Sequence, residues 1–451
     1  MKFKKLLILI FFLFPLKLFS IDTLWTKTIG STNKLMGVCN NIVVGYFENE
    51  DFSSLCIMKC VDGNLIWQYF GSYIYSRAYD IIEIEDGKYL VVGTAFNYAD
   101  NDALLLWIDE EGNILKEKFI GVQGKYEYLT KVIKDGNDFI GVGFVFTSVF
   151  DSANVYIVKF NNEGKKVWSI EWGRHGYDRA YDVLRIGDYY YVFGTKTTPG
   201  HYYPTYDFVI FKIDLDGNII DTRNYGTFGN DEVSKTMIFD GENILLVGYI
   251  QERGYFTYAD LYLLKINLDL DTIWSMVYGT EVTEKPFGVI LRNGIYIVGY
   301  YSFTPAYLFD PYFLFIDLFG NIMENVSLHM QYSQIIEDIY ENNEDVFTLV
   351  GEQGSPYTIG YIAKIRNLVN VKEEKYENPH FDFTYDFRKI SYYLPKSALI
   401  EIYDVTGRKV FKKYYQIGRH IIPLNSFRSG VYFIRFKSDS YDYIYKFIIF
   451  D

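Results

Sequence analysis

The feature that most constrains this chain is a repeat of about fifty residues. Seven segments consist of a short apolar run closed by glycine, and successive glycines are 48, 50, 51, 54, 51 and 52 residues apart. The segments are IVVG (42–45), LVVG (90–93), IGVG (140–143), YVFG (191–194), LLVG (245–248), YIVG (296–299) and TLVG (348–351). A period in this range indicates one supersecondary unit that is used many times. The chain is therefore expected to contain seven similar units.

Each unit has the pattern of four strands. In the second unit the strands are DIIEI (80–84), YLVVGTAF (89–96), ALLLWID (103–109) and ILKEKFIG (114–121), joined in part by short turns such as EDGK and EEGN. Tyr (44) and Phe (37) are abundant and Pro (10) is scarce, which favours strands over helices. Four-stranded sheets repeated radially are the blades of a β-propeller. The sequence predicts an all-β fold with a seven-bladed propeller at residues 21–367.

The two ends of the repeat array complement each other. The last unit ends after its third strand, YIAKIRN (361–367), whereas DTLWTKTIG (22–30) precedes the first unit and has the pattern of a fourth strand. Pairing of these two segments would complete seven sheets and leave no exposed edge. We therefore expect the N-terminal strand to close the propeller.

The first twenty residues have the pattern of a signal peptide. Lysines precede an uncharged run from Leu6 to Leu16, and Ser20 is a small residue at which cleavage could occur. Eleven apolar residues are too few for a span that needs about twenty. The sequence predicts an exported protein whose mature chain has no transmembrane segment.

Charge excludes some partners. The net charge of the chain is −13. The signal segment contributes +4 and residues 378–451 contribute +5, so the residues between them carry −22. So acidic a body repels nucleic acid phosphates and anionic membrane surfaces. Nucleic acid is not expected as a partner.

Cysteine and histidine usage points to neither a disulfide framework nor a metal. Cys56 and Cys60 lie four apart on a predicted strand, about 13 Å from each other, which is too far for a disulfide. The five histidines have no metal-ligand spacing, and nucleophile motifs such as G-x-S-x-G do not occur. We expect no cofactor and no metal.

The stretch RAYD occurs at residues 77–80 and again at 179–182. Asp80 and Asp182 each lie nine residues after the glycine that ends the preceding fourth strand. The same count gives Cys39, Thr130, Lys235 and Gly288 in four other units, and Asp338 matches the position in the seventh unit. These acids either accept hydrogen bonds from turn N–H groups, with Arg77 or Arg179 as counter-charge, or form a cation or polar-ligand site at the channel mouth. If the protein is an enzyme, the best candidates are Asp80, Asp182, Asp338, His175, Asp178 and His201.

Aromatic residues are dense between the second and third strands of each unit. Loops with aromatic side chains on a rigid scaffold are typical of sugar and peptide binding, although the rings could equally shield the sheet edges. The candidate ligand residues there are Tyr98, His201, Tyr202, Tyr203, Tyr206, Tyr255, Tyr258 and Tyr307. Four tryptophans before the fourth-strand glycines are expected to pack between blades: Trp25, Trp67, Trp168 and Trp274.

The period stops at residue 367, a charged linker (368–377) follows, and residues 378–451 have the short alternating strands of a small β-sandwich. This segment contains ISYYLPKS (390–397), IEIYDVTGRKV (400–410), SGVYFIRF (429–436) and YKFIIF (445–450). As a set these motifs resemble the type A C-terminal sorting domain of the type IX secretion system of Bacteroidota and related bacteria. The matching positions are Leu394, Pro395, Tyr403, Asp404, Gly407, Arg408, Gly430, Tyr432 and Lys446. The resemblance implies an immunoglobulin-like address tag that the secretion machinery reads at the outer membrane.

Together these features predict a secreted or cell-surface bacterial propeller protein. The main hypothesis is a non-catalytic module that binds or adheres to an extracellular glycan or protein. The alternative is a secreted carbohydrate-active hydrolase or lyase whose site lies at the channel mouth.

Overall fold

Apolar runs rich in β-branched and aromatic residues form the strands of this chain, and in the described residues every regular element is a strand. The computed structural model describes residues 21–29, 33–48, 52–146, 152–173, 176–198, 205–226, 230–252, 258–279, 282–303, 309–328, 333–343, 346–354, 359–367, 383–385, 389–394, 396–404, 408–424, 427, 430–438 and 442–449. The chain divides into two compact units, Met1–Asn370 and Val371–Asp451. The described part contains no helix long and apolar enough to cross a membrane.

The strands of the N-terminal unit form seven four-stranded antiparallel sheets, which we number 1 to 7 along the chain. Strand β1 (Ile21–Ile29) precedes sheet 1, which contains β2 (Asn33–Cys39), β3 (Ile42–Glu48), β4 (Ser53–Val61) and β5 (Asn64–Phe70). Sheet 2 contains β6 (Arg77–Glu85), β7 (Lys88–Asn97), β8 (Asp100–Asp109) and β9 (Ile114–Ile120). Sheet 3 contains β10 (Tyr126–Asp135), β11 (Asp138–Phe146), β12 (Ala153–Asn161) and β13 (Lys166–Trp172).

The remaining four sheets repeat this order. Sheet 4 contains β14 (Arg179–Ile186), β15 (Tyr189–Thr198), β16 (Thr205–Asp214) and β17 (Ile219–Tyr225). Sheet 5 contains β18 (Asn230–Phe239), β19 (Ile244–Glu252), β20 (Ala259–Ile266) and β21 (Thr272–Tyr278). Sheet 6 contains β22 (Glu284–Arg292), β23 (Ile295–Phe303), β24 (Phe309–Asp317) and β25 (Ile322–Ser327). Sheet 7 contains β26 (Ser333–Asn343), β27 (Val346–Gly354) and β28 (Ile359–Asn367).

The N-terminal strand is the fourth strand of sheet 7. Strand β1 pairs antiparallel with β28, with Thr26 opposite Ala363 and Thr28 opposite Tyr361. The predicted pairing of the two ends of the array is therefore confirmed. Sheet 7 takes strands from both ends of the N-terminal unit.

The apolar core lies between the faces of consecutive sheets. Val44 of sheet 1 shares one cluster with Val91 of sheet 2, and further clusters join the sheets that follow. Val350 of sheet 7 lies in a cluster with Val43 and Met58 of sheet 1. Each sheet is therefore covered on both faces, which explains why the second and third strands are almost uniformly apolar.

Tryptophan side chains connect the outer parts of neighbouring sheets. Trp67 of sheet 1 donates its indole Nε1 to the Glu110 carbonyl oxygen of sheet 2 at 3.0 Å, and its ring lies over Gly112. A Cβ at Gly112 would lie 2.9 Å from that ring, so a side chain there would displace the tryptophan. Trp25, Trp168 and Trp274 cover Gly63, Gly217 and Gly320 of the next sheet in the same way. The predicted packing of the tryptophans between blades is confirmed.

The segments between second and third strands are shorter than the sequence predicts. In sheet 2 only Tyr98 and Ala99 separate β7 from β8, since the hydrogen-bonded ladder continues to Asn97 and resumes at Asp100. The segment TAFNYADND is therefore mostly strand rather than loop. All three cysteines are free and buried, as expected.

The C-terminal unit contains two sheets. One consists of β29 (Phe383–Tyr385), β30 (Lys389–Leu394) and β33 (Gly418–Pro423), and the other of β31 (Ala398–Asp404), β32 (Lys409–Tyr415), β34 (Gly430–Lys437) and β35 (Asp442–Ile449). A single buried cluster takes Ile390 and Ile422 from the first sheet and Ile400 and Ile434 from the second. The two sheets therefore enclose a core of their own.

Removal of β1 tests the pairing of the two ends. A mature chain that starts at residue 30 is expected to unfold at a lower urea concentration and to self-associate with rising protein concentration, because β28 then has an unpaired edge. Urea unfolding and sedimentation velocity would measure both effects against a chain that starts at residue 21. A synthetic peptide of residues 21–29 should restore the urea midpoint. An unchanged midpoint in a monomeric truncated chain would contradict the pairing.

Candidate functional site

The first strand of every sheet in the N-terminal unit carries a bulge at the same place. The register shifts between Leu35 and Gly37 in β2 and between Ala78 and Asp80 in β6, and the other five first strands repeat this shift. The residues directly after the bulge are Gly37, Asp80, Lys131, Asp182, Thr236, Gly288 and Asp338.

This register corrects three of the predicted equivalences. Cys39, Thr130 and Lys235 are not the counterparts of the RAYD aspartates, because the segments between each glycine and the next bulge differ in length. Gly288 and Asp338 do occupy the equivalent position. The three acids and Lys131 are thus members of one structural set.

Each of the three aspartates binds the backbone of the next sheet. The carboxylate of Asp80 accepts from the Val132 N–H at 2.9 Å, that of Asp182 accepts from the Met237 N–H at 2.9 Å, and that of Asp338 accepts from the Val38 N–H at 3.1 Å. Asp80 and Asp182 are buried. The predicted role as hydrogen-bond acceptors is thus observed, but the donors lie on neighbouring first strands and not in turns. The acids link sheet 2 to 3, sheet 4 to 5, and sheet 7 to 1.

Lys131 lies among these carboxylates. Its ammonium group is 3.1 Å from Asp80 Oδ1. Burial acts to lower the pKa of Lys131, but Asp80, Asp338 and Asp182 outweigh burial and raise it. Burial raises the pKa of Asp338 to about 6, against the opposing effect of Lys131. The interior therefore holds a charge network whose carboxylates already have partners.

The arginines of RAYD do not serve as counter-charges for these aspartates. Arg77 forms an ion pair of 2.5 Å with Glu48 of sheet 1 and lies over the Tyr46 ring. Arg179 lies over the Phe144 ring, with 4.4 Å between Cζ and the ring centroid. The predicted Arg–Asp pairing is therefore wrong, because each arginine packs against the preceding sheet whereas each aspartate binds the backbone of the next sheet.

The structure describes three of the candidate loop residues. Tyr98 is 98% exposed at the tip of a two-residue turn with φ of 63°. Tyr258 is half exposed just before β20, and Tyr206 lies within β16, opposite Thr197. The other candidates lie outside the described residues: His175, His201, Tyr202, Tyr203, Tyr255 and Tyr307. Asp178 is buried and accepts from the Thr197 N–H at 2.7 Å.

A cleft of about 310 Å³ opens beside the first of the two RAYD motifs. Its lining comes from sheets 1, 2 and 3 and consists of Ser53, Tyr75, Arg77, Thr94, Phe96, Asn101, Tyr126 and Tyr128. Four of these eight residues are aromatic. Of the predicted site residues, only Arg77 belongs to this lining. Tyr126 and Tyr128 precede the bulge of sheet 3, so the density of aromatic residues at the start of a first strand is the signal that would have found them.

Hydrogen bonds fix the polar groups around the cleft. The Asn101 amide donates to the Tyr128 hydroxyl at 3.1 Å, which orients both side chains. The Thr94 hydroxyl donates to the backbone of sheet 3 at Glu127. The Ser53 hydroxyl is buried and has no hydrogen-bond partner among the described residues. The cleft thus combines fixed aromatic faces with polar groups, one of which has unused hydrogen-bonding capacity.

Between Tyr126 and Tyr128 of the cleft lining, strand β10 carries a buried carboxyl group. Glu127 is 1% exposed, and its Oε1 accepts from the Val122 N–H at 3.1 Å, while Oε2 has no partner among the described residues. Burial, followed by the nearby Asp102 carboxylate, raises the pKa of Glu127 to about 8. The group therefore holds its proton at neutral pH.

Comparison with known proteins assigns the C-terminal unit. Residues 378–450 match the family described as "Secretion system C-terminal sorting domain". This part of the chain is similar to a type IX sorting domain. The resemblance predicted from the sequence is confirmed, and such a domain implies a secreted or cell-surface protein that uses the type IX secretion machinery. No curated protein sequence matches the chain.

Solved structures similar to the chain include propellers. The Dos1 propeller has 10% identity and a TM-score of 0.46, over 76% of this chain and 92% of that one. The β-propeller domain of the Trilobed protease from Pyrococcus furiosus has 14% identity and a TM-score of 0.43, over 74% and 97%. A subtype N10 neuraminidase-like protein of A/little yellow-shouldered bat/Guatemala/060/2010 has 12% identity and a TM-score of 0.41, over 62% and 89%.

The sorting-domain motif maps mainly to the core-forming strands. Leu394 and Tyr432 are buried in the core, and the Tyr403 hydroxyl donates to Glu401 at 2.7 Å. Asp404 pairs with Tyr432 across β31 and β34, Gly430 begins β34, and Lys446 of β35 lies opposite Phe433. Arg408 is exposed before β32. Pro395 and Gly407 lie outside the described residues.

Loss of an inter-sheet carboxylate should destabilise the protein. Asp80→Ala leaves the Val132 N–H without its acceptor and Lys131 without its ion pair, so we expect the free energy of unfolding to fall by about 2–4 kcal/mol. Urea unfolding of the mature chain measures this change. Asp216→Ala removes an exposed turn carboxylate and should change the stability by less than about 0.5 kcal/mol. Equal effects of the two substitutions would contradict a linking role.

Glu127 should make stability depend on pH in a defined direction. Its pKa in the folded chain, about 8, lies above its ordinary value of 4.5, so its contribution is complete below pH 4.5 and is lost as the pH rises through 8. Glu127→Gln keeps the shape without the ionisation and should stabilise the protein at pH 7 by up to about 3 kcal/mol.

Urea unfolding between pH 4 and pH 8 measures this dependence. At pH 4 the Glu127→Gln variant and the wild type should have the same stability. The exposed Glu111 provides the matched control, because Glu111→Gln should leave the pH dependence unchanged. A Glu127→Gln variant less stable than the wild type at pH 8 would overturn the assignment.

Proposed function

We propose that this protein is an exported β-propeller that binds an extracellular glycan through the aromatic cleft. The observation that carries this proposal is the lining of the cleft, which combines four aromatic side chains with the polar residues Asn101 and Ser53. Ligand sites in proteins combine apolar and aromatic walls with a few placed polar groups in volumes of about 300–1,000 Å³. A sugar ring presents an apolar face for stacking and hydroxyl groups at its rim, which matches this combination.

A binding role fits the cleft better than catalysis. Hydrolysis of a glycosidic bond uses two carboxyl groups about 5–9.5 Å apart. None of the eight residues that line the cleft is acidic. Asp80, Asp182 and Asp338, the candidates for a hydrolase or lyase, each hold a backbone N–H of the next sheet. These bonds support a structural use of the three carboxylates.

The proposal includes three further statements about the architecture. The seven sheets form a closed ring, supported by the Asp338–Val38 hydrogen bond and by the apolar cluster that sheets 7 and 1 share. The C-terminal unit is an immunoglobulin-like sandwich, supported by its two sheets around one core. Residues 1–20 are a signal peptide that is removed during export, supported by the lysines and the apolar run.

Substitution of aromatic residues in the cleft tests the proposed function. We expect Phe96→Ala and Tyr128→Ala in the mature chain, residues 21–451, to weaken binding to the best ligand of a polysaccharide panel by about tenfold or more, which corresponds to about 1.4 kcal/mol per ring. Affinity electrophoresis measures retention, and chromatography of the reducing ends measures any product. Phe319→Ala is the matched control, since Phe319 is 68% exposed in a turn between third and fourth strands.

The outcomes of this experiment separate the alternatives. Equal retention of all three variants would place the binding site elsewhere. Release of sugar products by the wild type would favour the hydrolase or lyase instead. Absence of retention on every glycan would reject the proposed function.

A further inference from the structure

The two RAYD motifs produce the same local packing with one difference. Arg77 lies with its Cζ 4.7 Å from the centroid of Tyr46, and Arg179 lies 4.4 Å from that of Phe144. Tyr46 and Phe144 are equivalent, because each directly follows the second-strand glycine of its sheet, Gly45 or Gly143, which lies opposite the residue before the bulge. Both guanidinium groups therefore rest on an aromatic ring of the preceding sheet.

The difference lies in the second residue that each arginine contacts in the preceding sheet. Arg77 forms its ion pair with Glu48, three residues after the glycine Gly45. Three residues after the equivalent Gly143 stands Phe146, whose ring centroid is 5.9 Å from Arg179 Cζ. An aromatic residue thus replaces the carboxylate that neutralises the first arginine.

As a result, the charge of Arg179 has no carboxylate partner among the described residues. Its Nε is buried and has no hydrogen-bond acceptor in the same part of the chain. Contact with aromatic faces attracts a cation but leaves its N–H groups without acceptors. A guanidinium presents donors in a planar fork that matches both oxygens of a carboxylate. The site is therefore suited to an anion with that geometry.

Arg179 also lies next to the cleft. Tyr128, which lines the cleft, stacks on Phe144 with 4.7 Å between centroids and an interplanar angle of 14°. Phe144 in turn lies beneath Arg179. The stacked pair of Phe144 and Tyr128 therefore lies between the guanidinium and the cleft.

We propose that Arg179 is a carboxylate subsite of the cleft and that the preferred ligand is a glycan with uronic acid residues. This inference rests on the proposed glycan binding. The rings of Phe146 and Tyr177, whose centroids both lie 5.9 Å from Arg179 Cζ, suit the faces of a sugar better than the chain of an acidic peptide. The body of the protein is strongly acidic, so it repels polymers with a high density of negative charge. Salt screens charges beyond about 8 Å, so a single carboxylate bound at Arg179 interacts mainly with that arginine. The ligand is thus a glycan with scattered acidic sugars.

Matched ligands test the subsite. The mature chain is assayed against glucuronoxylan, partly methyl-esterified pectin and other uronic acid polymers, and against the same polymers after reduction of their carboxyl groups. We expect the wild type to bind at least one acidic form about ten- to a hundredfold more tightly than its reduced form, and the preference should shrink as salt is added. Arg179→Gln should remove this preference and leave binding of the reduced polymer unchanged.

Two further variants keep the test decisive. Phe146→Glu copies the position of Glu48, so it should occupy the guanidinium and abolish the preference while Arg179 is still present. Arg223→Gln removes the same charge from a side chain that pairs with Asp221 and Asp271 outside the cleft, and it should bind like the wild type. Thermal unfolding confirms that each variant is folded.

Each of the other possible results of this binding experiment would reject one part of the proposal. Equal binding of acidic and reduced polymers by the wild type would reject the subsite and leave glycan binding intact. A preference that survives both Arg179→Gln and Phe146→Glu would place the anion site elsewhere. Tighter binding of an acidic peptide than of every glycan would reject the ligand class. Failure to bind any polymer would reject the proposed function as well.

Discussion

The structure depends on the packing of each four-stranded sheet against the next. A single sheet of this kind has two apolar faces and cannot bury either one alone, so each unit is stable only between neighbours. Buried carboxylates and tryptophans add directional contacts to this packing, as the Asp80–Val132 and Trp67–Glu110 hydrogen bonds show. The apolar faces supply the stability, and the polar contacts fix how one sheet is rotated on the next. The cleft exists because three sheets are held in such a fixed relation.

Most of the fold could be predicted from the sequence, because its signals repeat seven times. Three signals were enough to identify four strands per sheet and the partner of β1. They are the glycine after each apolar run, the turn residues, and Trp25 before the first unit. The bulge in the first strand could not be predicted in this way. The segment between each fourth-strand glycine and the next bulge varies in length, so counting from the glycine assigned Cys39, Thr130 and Lys235 to the wrong position.

The candidate site was harder to predict than the fold for a related reason. Aromatic residues occur throughout this chain, and their sequence positions do not show which rings line a cleft and which pack in the core. Phe96 lines the cleft, while Phe144 is almost wholly covered by neighbouring rings. The partners of the two RAYD arginines lie about thirty residues before each motif, in a different sheet. Such contacts follow from the stacking of sheets, which a local motif does not report.

The pairing of β1 with β28 also determines when the protein can fold. The two strands are more than three hundred residues apart in the chain, so the ladder between them can form only after nearly the entire N-terminal unit has been synthesised. Until then β1 has no partner strand and is open to pairing with other chains. Because residues 378–450 follow the N-terminal unit in the chain, the sorting domain is synthesised only after every strand of that unit.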